Sequence, residues 1–249
     1  MNHSSRPVIR YFYSDYTHYE SDEPALYNPE DYPEIKYVLN HYPEIRREAD
    51  DYINRRFDIE YSNPSAPNMT YPDSWKNVYF KNYLLRYEVG RKYFPNTYKL
   101  FEQNPAITLA GITTLAPKSR LMPHCGETNA IIRCHLGLKV PGKLPELGLK
   151  VKGQSVCWEE GKVFAFNDAF QHEAWNDTND YRYVLVFDIM RPEFAKYRTW
   201  VCACCLGIEA MRFLLTKANV YEKTPLWLRA MITKPLATAI WIYLKLKGN

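Results

Sequence analysis

Two histidines, each followed at a similar distance by an arginine, carry the chemistry legible in this chain. His124 follows Pro123 in a turn-like stretch, Arg133 comes nine residues later, and His135 two residues after that. His172, read as lying in a loop, is followed ten residues later by Arg182. Both arginines fall in β-like runs, at 130–140 and 181–189. Residues i and i+2 of a strand share a face. Arg133 and His135 therefore point the same way, while Ile132, Cys134 and Leu136 point the other way, toward a core. Turning an arginine and a histidine inward together is costly unless an anion meets them. Imidazoles suit a first-row metal such as iron, and guanidinium forks grip carboxylates through paired bonds. Each piece alone is commonplace: a lone buried histidine is usually a satisfied core residue, and an arginine opening a strand is usually a surface charge. Together they describe a metal flanked by carboxylate clamps, as needed to hold an iron-chelating dicarboxylate such as 2-oxoglutarate.

The surrounding text has three textures. Residues 1–105 are rich in tyrosine, proline and charge, and read as helices with irregular connections packing on the core. Pro43 suits the first position of a helix, and Ile45, Ala49, Tyr52, Ile53 and Arg56 come after it at helical spacing. Residues 61–73, with Pro64, Pro67 and Pro72, are expected to be a loop. Residues 75–93 and 95–103 are expected to be helical, the second stopped by Asn104-Pro105. Residues 106–192 turn to short β runs at 107–114, 130–140, 162–166 and 181–189, spaced by Pro117, Pro123, Pro141, Gly153 and the polar stretch 176–180. Such spacing predicts a closed or double-sheet β architecture. Residues 193–249 are expected to form a C-terminal helical extension, with helix starts at Thr224-Pro225 and at Pro235. The segment 226–246 is very apolar, yet Arg229, Lys234, Pro235 and Lys245 interrupt it. A bilayer crossing asks for ~20 uninterrupted apolar residues. The segment reads first as a packed helix pair, and second as a membrane-surface segment anchored by Trp227 and Trp241. The whole is expected to be one compact α+β domain with a mainly β core.

The motifs His124-Cys125-Gly126-x-Thr128-Asn129, Arg133-x-His135-Leu136-x-Leu138, Trp158-x-Glu160-Gly161-Lys162 and Phe170-x-His172-x-x-x-Asn176 resemble the aspartyl/asparaginyl β-hydroxylase family over roughly residues 106–192. The resemblance implies a double-stranded β-helix (jelly-roll or cupin-like) core and an iron(II)/2-oxoglutarate-dependent dioxygenase. By it, His124 and His172 would be the metal ligands and catalytic centre. Arg133 and His135 would hold the 2-oxoglutarate carboxylate next to the metal. Arg182 would hold the distal carboxylate with help from the hydroxyl of Thr113, or of Thr114 if the strand register slips by one. Most of the wider superfamily completes a facial triad with a carboxylate, but Gly126 has none to offer. Water, or a halide, would then fill that position, with Asp168 or Glu173 as less favoured substitutes and Cys125 pointing away. Trp175 and Asn176 are candidates for lining the mouth or holding the loop, Asn129 for a substrate or supporting contact, and Trp158 and Phe170 for the core.

The resemblance supports the reaction better than the substrate. The first reading is hydroxylation of an aspartyl or asparaginyl residue or a related amino acid. The second is hydroxylation of a lipid acyl chain, of lipid A or ornithine-lipid type, at a membrane surface; the apolar tail favours it and Gly126 argues against it. The third is a non-enzymatic cupin-like binding protein. Composition narrows the rest. The 249 residues are 46% hydrophobic and 24% charged, with a net charge of +4 and both signs interspersed, which argues against a nucleic-acid partner. The 21 tyrosines suit helices packed around a partly wet core. The six cysteines are Cys125, Cys134, Cys157, Cys202, Cys204 and Cys205, and neither a zinc ribbon nor a redox motif is expected of them. Residues 1–20 lack the apolar stretch of a secretory leader. A reduced, cytoplasmic protein is expected, peripheral at the membrane under the second reading.

Overall fold

The computed structural model describes residues 8–55, 69–71 and 73–248. The N-terminal part holds β1 (Leu26–Tyr27), α1 (Pro33–Asn40), α2 (Tyr42–Arg55), β2 (Trp75–Asn82), β3 (Leu85–Arg86), α3 (Glu88–Tyr93) and α4 (Pro95–Gln103). Strands then dominate: β4 (Ile107–Leu115), β5 (Ser119–His124), β6 (Ile131–Lys139), β7 (Leu147–Val151), β8 (Gln154–Val156), β9 (Val163–Phe166), β10 (His172–Asn176) and β11 (Arg182–Met190). Two long helices, α5 (Arg198–Lys217) and α6 (Leu226–Leu246), close the chain.

The strands form two antiparallel sheets, ordered β1-β9-β6-β11-β4-β2-β3 and β5-β10-β7-β8. Counted from β4, the eight core strands run first, eighth, third and sixth in one sheet and second, seventh, fourth and fifth in the other. The chain thus passes between sheets in pairs, which is the winding of a double-stranded β-helix. Side-chain alternation explains the layers. On β11, Tyr183, Leu185, Phe187 and Ile189 join an outer core with Ile35, Val38, Ile45, Ala49 and Tyr52 of α1 and α2 and Phe101 of α4. The alternate residues Val184, Val186 and Met190 join an inner core with Leu121, Leu147, Leu149 and Ala174 of the small sheet and Val201, Cys202 and Cys205 of α5. Both faces of the large sheet are therefore covered, and β4 and β11 are buried at every position. The small sheet covers the core with one face only, so its strands alternate buried and exposed residues.

Several expectations change here. Residues 75–93 are mostly not helical: Trp75–Asn82 is a strand, and only Glu88–Tyr93 is helix. Val78 and Phe80 enter the outer core, and the pairing of β2 with β4 fixes the extended form. Gly111 permits that pairing, because a Cβ there would lie 2.6 Å from the Val78 carbonyl oxygen. His124 ends β5 and His172 begins β10, so neither stands in the turn or loop expected for it. Pro235 starts no second helix; α6 runs through it. The proline is exposed, so water replaces its missing hydrogen bond on the outer face. The paired helices are α5 and α6, packed closely enough that a Cβ on Gly207 of α5 would lie 3.1 Å from Ala237 Cβ of α6. Pro192–Lys217 has the length and apolar content of a membrane span, but most of it lies inside the fold. Arg56 and much of the loop expected at 61–73, including Pro64, Pro67 and Pro72, lie outside the described residues.

Candidate active site

Pairing of β5 with β10 sets His124 directly opposite His172, and the register shifts immediately after His172. Such irregularities re-aim side chains at sites. The two ring centroids lie 4.3 Å apart at 54°. Each Nδ1 faces a backbone carbonyl two residues upstream: Met122 O at 2.8 Å from His124, and Phe170 O at 2.9 Å from His172. A carbonyl only accepts, so each Nδ1 carries the proton and each Nε2 keeps its lone pair. Burial pulls the His172 pKa down to about 4. It holds His124 well below the ordinary imidazole range, and the neighbouring His172 adds to the effect. Both rings are neutral at neutral pH, the form that binds metals.

Arg133 already has its anions. Its Nε and Nη2 donate to Asp188 on the adjoining strand at 2.9 and 2.8 Å. Its Nη1 stands 2.8 Å from Asp168 Oδ1. This fork is taken up by the protein's own carboxylates, contrary to the expectation that it is free for a bound acid. Burial pushes Asp168 and Asp188 up to about 6, against the pull of Arg133. Asp168 Oδ1 is also 3.5 Å from His172 Nε2. Its other oxygen fills the space beside Gly126: a Cβ on Gly126 would lie 1.7 Å from Asp168 Oδ2. The space that a side chain at position 126 would fill thus holds a carboxylate from another part of the chain. Neither Asp168 oxygen accepts a well-aligned hydrogen bond.

Arg182 is the opposite case. It is 2% exposed, and among the described residues no carboxylate lies within ion-pair distance. Nη1 donates to Thr113 Oγ1 at 3.2 Å, as the expected register requires, and Nε has no partner. Its guanidinium carbon sits 4.6 Å from the Trp158 ring centroid. Burial alone pulls its pKa down to about 9. Trp158 Nε1 donates to His135 Nδ1 at 3.1 Å. The proton of neutral His135 therefore resides on Nε2, which makes that atom a donor. Burial, helped by Arg182, keeps the ring neutral. Arg133 and His135 do share a face, as the sequence predicts. His124, His172, His135, Arg133, Arg182 and Thr113 all line one small cavity of about 80 Å³ between the sheets.

Other candidates fall into place around it. Asn176 holds a loop, donating to the carbonyls of Leu115, Ala116 and Asp180. Trp175 caps the outside through Pro145 O. Asn129 fastens the N-terminal segment by bonds to Arg10 and Val8. Glu173 pairs outward with Lys150, and Cys125 packs in the inner core. Trp158, read as core, is buried but also walls the cavity and orients His135. The sequence offered no signal for Asp188, a single acid in a strand of apolar residues.

The donor set fits a first-row divalent metal: two neutral imidazoles with free Nε2 atoms, and a buried carboxylate beside them. Among the described residues no group of three or more His, Cys, Asp or Glu side chains is arranged around one point. The histidine pair is therefore the core of the donor set, with Asp168 adjacent. One energetic consequence is testable without metal. Asp188→Ala leaves a buried guanidinium short of its bidentate partner, which costs about 3–5 kcal/mol. The expected result is a large drop in the urea midpoint; an unchanged midpoint would show the pair to be dispensable.

The family model for aspartyl/asparaginyl beta-hydroxylase matches residues 39–192. The ornithine lipid ester-linked acyl 2-hydroxylase of Rhizobium tropici is 30% identical over 68% of this chain and 61% of its own. The aspartyl/asparaginyl beta-hydroxylase of Homo sapiens is 31% identical over 52% of this chain and 18% of its own. The matched regions thus span less than two thirds of either relative. A solved prolyl-4-hydroxylase from Pseudomonas putida aligns over 60% of this chain and 87% of its own, at 14% identity and a TM-score of 0.40. With the family model covering well over half its length, the chain belongs to the aspartyl/asparaginyl β-hydroxylase family.

Proposed function

We propose that this protein is an iron(II)- and 2-oxoglutarate-dependent dioxygenase that hydroxylates an aspartyl or asparaginyl residue or a related amino-acid group. The observation that carries the proposal is Arg182: a guanidinium buried without a carboxylate partner among the described residues, in the same cavity as two neutral imidazoles with free Nε2 atoms. A desolvated, unpaired cation is costly, and a diacid reaching from a metal to Arg182 would remove that cost.

In this reading His124 and His172 hold the metal through Nε2. Iron, when bound, supplies oxygen activation coupled to decarboxylation of 2-oxoglutarate. Asp168 brings negative charge to the face that Gly126 leaves bare, and Arg133 fixes that carboxylate in place. His135 donates from Nε2 to the carboxylate near the metal. Arg182 and Thr113 take the distal carboxylate. Trp158 covers Arg182 and shuts out water, which strengthens the charge pair. Arg133 is a positioning residue here rather than a clamp.

A second substrate reading, a lipid acyl chain, draws support from the outer face of α6. Leu226, Trp227, Met231, Ile242, Tyr243 and Leu246 are exposed there. The helix carries Lys234 and Lys245 and no acidic residue, with Lys247 just beyond. An apolar face edged with lysines suits an anionic lipid surface. This supports a protein resting on a membrane surface.

His124→Ala or His172→Ala should abolish iron-dependent conversion of 2-oxoglutarate to succinate; normal turnover in either variant removes the metal assignment. Arg182→Met should weaken 2-oxoglutarate binding by about 2–5 kcal/mol, read as a raised KM for that acid alone. For the membrane surface, the triple variant Trp227→Ser, Met231→Ser, Leu246→Ser should no longer co-sediment with vesicles containing phosphatidylserine, at unchanged Tm. Retained co-sedimentation would place the contact elsewhere.

A further inference from the structure

A second cavity, of about 1000 Å³, lies between β2, α5 and α6. It sits at the upper end of the range of about 300–1,000 Å³ common for ligand sites. Tyr79 is the one wall residue it shares with the catalytic cavity, and His124, His172 and Arg182 take no part in it. Leu206, Ala239 and Ile240 make the wall apolar, with the rings of Tyr79, Tyr87 and Tyr243 among them. Ala239 and Tyr243 are exposed, so the groove opens to solvent.

Two charged side chains on α5, Glu209 and Arg212, reach this groove, and they are served unequally. Arg212 Nη2 stands 2.7 Å from Asp15 Oδ1 and Nη1 3.4 Å from Glu127 Oε1, so that cation already meets two carboxylates. Glu209 has no cation within ion-pair distance among the described residues. Its side chain has one hydrogen bond there, received from Asn82 Nδ2 at 3.0 Å. Burial, and then the nearby Glu127 carboxylate, push its pKa up to about 7, the response of an acid without a counter-ion. Asn82 supplies a second and independent sign. It is 7% exposed, and its Oδ1 has no hydrogen-bond partner. A carboxylate lacking a cation and a buried oxygen lacking a donor thus lie side by side on the groove wall.

A metal ion does not answer these two needs, because among the described residues no three His, Cys, Asp or Glu side chains are grouped to hold one. An organic ammonium does. Its charge meets Glu209, an N–H donates to each acceptor, and tyrosine rings in the wall attract a cation. A quaternary ammonium has no N–H for Asn82. A carboxylate or phosphate next to the ammonium would face Glu209, with only the ion-paired Arg212 to receive it. That excludes amino-acid and phospholipid headgroups. We propose that this groove binds a long-chain primary amine, with its ammonium on Glu209 and Asn82 Oδ1 and its hydrocarbon chain along Leu206, Ala239 and Ile240. It is a second ligand site, independent of the histidine cavity and of the hydroxylase reading.

The test is calorimetric titration of the full chain, without metal, with dodecylamine below its micellar concentration. Saturable binding of one amine per chain is expected. Glu209→Gln keeps the shape of the side chain and an oxygen for Asn82. It should weaken dodecylamine about tenfold or more and leave the weaker binding of dodecanol unchanged, with Tm no lower than before. Ala239→Trp, at an exposed wall position, should fill the groove and weaken dodecylamine by a similar factor. His172→Ala should bind dodecylamine as the unaltered chain does. Dodecanoic acid and 2-aminododecanoic acid, the latter with a carboxylate on the ammonium-bearing carbon, should both bind at least tenfold more weakly. No binding, equal binding of dodecanoic acid, or binding that Glu209→Gln and Ala239→Trp leave intact overturns the proposal. Loss of binding in His172→Ala moves the amine to the catalytic cavity and overturns it too. Equal binding of 2-aminododecanoic acid overturns the exclusion of amino-acid headgroups. A dimer dissociated by Ala239→Trp, with no amine bound, overturns it in favour of a second copy of the chain.

Discussion

Arg133 is the constraint on which the site depends. Its guanidinium joins β6 to Asp188 on β11 and to Asp168 in the loop before β10, so one cation ties the large sheet to the segment that delivers His172. Both carboxylates are fully buried. Such ions persist only when paired with good geometry. Asp168 in turn meets Gly126, two residues after His124, and accepts nothing larger there. Gly126 N also donates to the Asp168 backbone carbonyl at 2.8 Å. Strand pairing sets the two histidines face to face, and this ion cluster locks the loop after His124 and the loop before His172.

Charge balance makes the cavity selective. The two buried arginines, Arg133 and Arg182, are matched in number by Asp168 and Asp188, and the three histidines are neutral. The distribution is uneven, since Arg133 holds both carboxylates and Arg182 holds none. A divalent cation alone, or a dianion alone, would leave two net charges in a dry site. Bound together they cancel, with negative charge placed where Arg182 lacks it. The arrangement therefore favours a pair of opposite charges over either member.

How much of this was written in the sequence depends on the range of the interaction. The i, i+2 relation of Arg133 and His135 is local, and it was legible. So were β4, β6, β9 and β11, whose apolar runs reflect their place in the large sheet. The small sheet was not: charge or proline breaks β5, β7 and β10, and β8 is three residues long and mostly exposed. His124 and His172 consequently looked like loop residues. β2 looked helical because its aromatic content does not distinguish periods, and only its pairing with β4 decides. Asp188 left no trace, because its sole reason to exist is a guanidinium 55 positions away.

Gly126 shows why a missing ligand is a poor guide to a missing charge. Read along the chain, His124-Cys125-Gly126 subtracts a carboxylate from the familiar pattern. In space, the absent side chain is what admits Asp168, which any Cβ at position 126 would strike. Glycine and aspartate are thus a complementary pair, 42 positions apart in sequence and in contact in the fold. The carboxylate delivered this way differs from one on the histidine's own strand, because Arg133 shares it. Its negative charge is partly neutralised by that guanidinium, and it is held by an ion pair rather than by strand geometry. A site built so keeps room beside the two histidines while still being walled by a carboxylate. That combination depends on Gly126, Asp168 and Arg133 together and not on any one of them.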